Sequence, residues 1–118
     1  MSWLLIFMGG GLGALARYAL AVALPRAEMG FPWATFMANV VGALLIGAIA
    51  GALMERTGAR AFWIVGLLGG FTTFSAFSLE ALQLIEQRQI VLALTYILGS
   101  VALGLLACVA GLRVSSYA

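Results

Sequence analysis

Four apolar stretches, each about as long as a bilayer is thick and divided by short polar breaks, constrain this chain more than anything else in it. They run from about Trp3 to Leu24, Pro32 to Met54, Ala61 to Ile85 and Ile90 to Leu112. A spanning helix needs about 20 residues to cross about 30 Å of hydrocarbon. Four helices with tight turns therefore nearly use up 118 residues. The predicted fold is an all-α membrane protein, a single four-helix domain over residues 1–118. Composition agrees, because only 8% of residues are charged, against roughly a quarter in a soluble domain. Trp3, Trp33 and Trp63 each fall near the start of a stretch, where indole favours the headgroup level. The first stretch lacks a positively charged start and is too long for the apolar region of a signal peptide, so it is expected to be retained.

The third stretch is interrupted near its middle. Residues 69–78 read Gly-Gly-Phe-Thr-Thr-Phe-Ser-Ala-Phe-Ser. At membrane depth every backbone N–H and C=O needs a partner, so such a break survives only where it is buried in protein or lines a polar cavity. The run marks a candidate ion or substrate site.

Charge gives little instruction on orientation. If all four stretches cross, one side receives Arg56, Arg60 and Arg113 and the other receives Arg26 and Arg88, with Arg17 inside the first stretch. That near-balance is almost neutral under the positive-inside rule. It permits insertion both ways up, and with it an antiparallel homodimer. The arginines are scattered and form no patch, so no nucleic-acid partner is expected. Cys108 is the single cysteine, which excludes an intrachain disulfide and reads as a small lipid-facing or packing residue. Gly11-Leu12-Gly13-Ala14-Leu15-Ala16 imitates a dinucleotide fingerprint, yet it lies inside a spanning helix with no strand before it. Small residues for close helix approach explain it better, as they do Gly9 with Gly13, Gly47 with Gly51 and Gly66 with Gly70.

Polar groups inside the stretches are few and regularly spaced. Thr35 and Asn39 lie four apart on the second helix; Tyr96 and Ser100 repeat that spacing on the fourth, with Gly104 continuing the row without a hydroxyl. Each helix thus carries a ladder of neutral donors, suited either to a pathway or to interhelical glue. Glu80 is the only carboxylate near the break, and no base, second carboxylate or ligand set accompanies it, so no enzyme is expected. Arg17 and Glu80 could pair with each other, line a vestibule or snorkel. Phe71, Phe74 and Phe77 repeat every three residues, a usual packing stripe. An aromatic ring also has a positive edge, and a phenylalanine set edge-on can contact an anion without holding it too tightly to conduct.

Three segments, Gly11 to Tyr18, Trp33 to Gly42 and Gly69 to Glu80, together resemble the Fluc (CrcB) family of microbial fluoride channels, and the resemblance spans essentially the whole chain. It implies passive, selective fluoride export across a bacterial inner membrane by a dual-topology antiparallel homodimer with two pores. By that resemblance Asn39 is the pore asparagine, and Phe74 and Phe77 are ring-edge contacts to the permeating fluoride. Thr35, Tyr96 and Ser100 match the hydroxyl track, with Ser78 and Glu80 at or near one end of it. Arg17 is assigned to a vestibule or to anchoring. Gly69 and Thr72 would offer backbone carbonyls to a structural sodium ion at the dimer centre, two from each subunit.

Two other classes compete with that expectation. A small dual-topology, proton-coupled multidrug exporter has a similar length and four helices, but needs a carboxylate in its first helix, and none is present here. A non-conducting assembly subunit would use the small-residue faces for packing only.

Overall fold

The computed structural model describes residues 2–26, 30–53 and 56–117, the side chains of residues 116 and 117 excepted. The expected polar turn residues Ala27 to Met29, with Glu28, lie outside them, as do Met54 and Glu55. All regular structure among the described residues is helical: α1 (Ser2–Ala23), α2 (Trp33–Ala52), α3 (Thr57–Arg60), a π-helix (Ala61–Leu68), α4 (Gly69–Phe71), α5 (Ser75–Glu86) and α6 (Ile90–Tyr117). Among the described residues, four lengths are long and apolar enough to span a membrane, the third being the composite Thr57–Glu86. The longest extent, 47 Å, is close to the thickness of a bilayer with its headgroups.

The third span is bent and broken. Its π-helix carries i→i+5 bonding, seen in the Gly69 N–H donating to the Ile64 carbonyl. Helical geometry ends at Phe71, Thr72 is extended (φ −85°, ψ 159°), and α5 restarts at Ser75. Downstream, α5 stops in a left-handed cap: Arg88 takes φ 61°, and the Arg88 and Gln89 amides donate back to the Ile85 and Leu84 carbonyls at 3.0 and 2.8 Å. This satisfies the last carbonyls without a glycine.

In lipid, apolar surface gives helices no reason to associate, so close van der Waals packing must do it. The helices pair as α1 with the π-helix and α4, and as α2 with α6. Glycines set both crossings. A Cβ on Gly9 or Gly13 would strike the Phe62 or Leu67 carbonyl of the π-helix, and one on Gly47 or Gly111 would strike the facing backbone of α6 or α2.

One end of the bundle holds a cluster of buried side chains. Tyr96 and Leu84 are fully buried there with Ala81 and Ala93, and Phe31, Phe36 and Phe77 pack around them. A buried phenol needs a partner for its O–H. That requirement leads from the core to the polar residues.

Candidate functional site

Asn39 sits on α2 directly opposite the break. Its Nδ2 donates to the Thr73 carbonyl at 2.9 Å, and its Oδ1 accepts from the Thr73 amide at 2.8 Å. The side-chain amide therefore acts as a strand-like partner for one non-helical residue, which is how the break meets the demand for satisfied backbone there. Gly42, one turn on, leaves room for the Thr72 methyl, where a Cβ would collide.

That stapling has consequences for neighbouring carbonyls. The Thr73 amide, which would close a helical bond onto Gly69, goes to Asn39. The Ala76 amide, which would close one onto Thr72, goes to the Thr73 hydroxyl at 3.2 Å. The two carbonyls named from sequence as cation ligands thus both lose their i+4 donors. The intervening Gly70 carbonyl instead accepts from the Arg17 Nε at 3.3 Å. Arg17 fastens α1 to the C-terminal end of α4, where a cation is favoured.

Beside the break lies a groove of about 520 Å³, lined by Asn39, Gly69, Thr72, Phe74, Phe77 and Ser100 among others. Phe74 is 78% exposed in the single chain, and its ring lies 5.9 Å from that of Phe77. Phe77 continues to Tyr96, centroids 5.0 Å apart. Ser100 places a hydroxyl oxygen in this region that is shielded from solvent and has no hydrogen-bond partner. Such an orphan costs about 1–3 kcal/mol unless something binds it.

A second polar cluster adjoins the groove. The Tyr96 hydroxyl donates to a Glu80 carboxylate oxygen at 3.1 Å, and Thr35, buried at 8% exposure, faces the same phenol. Arg17 and Glu80 hold different partners and do not pair with each other. Ser78 points elsewhere: its hydroxyl donates to the Phe74 carbonyl of its own helix at 2.9 Å, the back-bonding common for helical serine.

Sequence reasoning left four participants unnamed as site residues: Thr73, Ser75, Arg26 and Gln83. Thr73 supplies both the staple to Asn39 and, with Ser75 at 3.3 Å, a hydroxyl pair at the start of α5. Arg26 donates from Nη1 to the Gln83 Oε1 at 3.0 Å, joining the α1–α2 loop to α5. Nothing in the local pattern signals the Asn39–Thr73 and Arg26–Gln83 contacts, since each joins residues distant in sequence.

The remaining donors decide what chemistry is open. Asn39 keeps one N–H, since an amide nitrogen has two; Thr73 and Ser100 add hydroxyls, and the Phe74 and Phe77 rings complete the lining. This is a neutral, donor-bearing groove with one carboxylate at its margin, suited to a small anion and lacking a base or nucleophile arrangement. Fold and site together define a small four-span helical membrane protein built around a broken third span.

Residues 4–112 match the family model described as CrcB-like protein, Camphor Resistance (CrcB). The chain belongs to that family. It is 48% identical over 114 residues to the fluoride-specific ion channel FluC of Rhizobium meliloti (strain 1021), covering 92% of this chain and 91% of that protein. It is likewise 50% identical over 115 residues to the protein of that name from Phenylobacterium zucineum (strain HLK1), covering 92% and 91%, and 44% identical to that of Paracoccus denitrificans (strain Pd 1222), covering 96% and 93%.

Proposed function

We propose that this protein is a passive, selective fluoride channel of a bacterial membrane, and not an enzyme. The observation that carries the reading is its 48% identity, over more than nine-tenths of both chains, to a protein named as a fluoride-specific ion channel. The groove is consistent with the chemistry required. Fluoride is small and strongly hydrated, so leaving water demands replacement donors, and conduction demands that none hold it too firmly. The spare Asn39 N–H, the Ser100 hydroxyl and the edges of Phe74 and Phe77 are donors of that moderate kind. Tyr96 and Ser78 direct their hydroxyl hydrogens to Glu80 and to the Phe74 carbonyl, so in this reading they shape the path and would donate to an anion only after turning.

The working unit in this reading is an antiparallel homodimer with two pores. Support comes from the near-balanced arginines and from the exposed Phe74 ring, which a second chain would cover. A structural sodium ion at the dimer centre suits the Gly69 and Thr72 carbonyls, because hard cations take oxygen ligands and both oxygens have lost their helical donors to side chains. When bound, sodium would supply positive charge that ties carbonyls of the two chains together. Replacing sodium by N-methylglucamine should then lower the thermal stability of the dimer; unchanged stability would remove the ion from the account.

Planar-bilayer recording tests the transport reading. Under a fluoride gradient with symmetric chloride, the current should reverse at the fluoride equilibrium potential and ignore an imposed pH gradient. Reversal that follows the pH gradient would favour the proton-coupled exporter.

A further inference from the structure

Arg26 has no place in the groove, yet it is held with unusual care. It follows Pro25 just beyond α1. Its Nε donates to the Gly30 carbonyl at 3.0 Å and its Nη1 to the Gln83 side-chain oxygen at 3.0 Å. The third nitrogen, Nη2, is shielded from solvent and without a partner among the described residues. A guanidinium carries five N–H donors in a rigid fork, so two bonds fix its plane and leave a desolvated, charged donor set unused.

The identity of the clamp matters. A glutamate at position 83 would neutralise the guanidinium in an ion pair, whereas Gln83 anchors it as a neutral partner, and among the described residues no carboxylate pairs with it. Glu80 lies one turn before Gln83 on α5 and is engaged by Tyr96. Chain connectivity puts this cluster at one end of the bundle, since the end of α1, the start of α2, the end of α5 and the start of α6 meet there. From the groove outward along α5 come Phe74, Phe77, Glu80 and Gln83, with Arg26 last.

We propose that Arg26 is the anion-gathering residue at this mouth of the pathway, the positive charge of its clamped guanidinium drawing fluoride from water towards the Phe77–Tyr96 contact and offsetting the Glu80 carboxylate one turn from its Gln83 anchor. The proposal rests on the fluoride reading above. At the rim a fixed charge concentrates the ion without trapping it midway, and low-dielectric walls can raise local anion concentration and capture rate by about 10-fold or more.

Fluoride flux from liposomes containing the full-length protein, measured against fluoride concentration at low and high ionic strength, tests this. In Arg26→Gln the half-saturating fluoride concentration should rise about tenfold at about 10 mM salt, where charge acts over about 30 Å, and the rise should vanish near 1 M, where it acts over about 3 Å. Maximal flux should hold. Arg26→Lys, which keeps the charge and loses the fork, should stay near the parent. If Arg26→Gln fails to yield dispersed protein, Gln83→Glu serves instead: it retains a clamp, neutralises the cation, and should show the same salt-sensitive rise. Parent-like half-saturation at low salt in the variant measured, or a salt-independent fall in maximal flux shared by Arg26→Gln and Arg26→Lys, would overturn the proposal. Absence of fluoride flux in the parent protein would instead strike the underlying reading.

Discussion

The Asn39 side-chain amide and the Thr73 backbone bond to each other reciprocally, at 2.9 and 2.8 Å, across 34 residues of sequence. One side chain thereby closes the break in the third span and still has an N–H to offer the groove. Gluing and lining, alternatives on spacing alone, are compatible in this residue.

Asn39→Ala should accordingly impair both. Two backbone groups of Thr73 lose their partner, at about 1–3 kcal/mol each if they stay buried, so thermal unfolding in detergent should move down as fluoride flux falls. Asn39→Asp keeps an acceptor for the Thr73 amide but sets a carboxylate oxygen against its carbonyl. It should cost flux at least as severely. Full flux in Asn39→Ala would remove the residue from the pathway.

Phe74 and Phe77 should separate stability from transport. Phe77 packs on the Tyr96 core, and an aromatic pair adds about 0.5–1.5 kcal/mol beyond burial, so Phe77→Ile should lower the melting temperature as well as the flux. Phe74 is largely exposed in the single chain. Phe74→Ile should leave the fold intact and still reduce flux sharply, as measured by fluoride electrode; unchanged flux in both variants would sink the ring-edge role.

Ser100→Ala makes the opposite pairing of effects. Removing a shielded hydroxyl without a partner should stabilise the protein by about 1 kcal/mol, while fluoride affinity falls. Calorimetry showing lost stability, with flux untouched, would mean that the hydroxyl serves packing only.

Insertion in both orientations is tested at the α5–α6 turn. Gln87 is exposed there, so Gln87→Cys in a Cys108→Ala background should react with an impermeant maleimide from both faces of the membrane. Labelling from one face alone would contradict dual topology.

Much of this architecture is legible in the sequence. Four spans and a broken third one follow from apolar lengths and from a Gly-Gly-Phe-Thr-Thr run that no uninterrupted helix in lipid would favour. The π-helix was not legible: Ala61 to Leu68 carries no local signature, and its wider turns lie where α1 presents Gly9 and Gly13 to the π-helix backbone. Four-residue spacing put Asn39 and Thr35 on one face, but periodicity names a face and never a partner, so Thr73 could not be read. Ser78 could have been read more closely, since helical serines commonly bond back to the preceding turn. Arg26 looked like one scattered loop charge among several; only the fold brings Gln83 to it.

The central claim is selective fluoride conduction, and anion efflux from liposomes under a potassium shunt tests it most directly. The account predicts rapid loss of fluoride with negligible loss of chloride from the same vesicles. Equal loss of both ions, or retention of both by well-folded dimers, would contradict it.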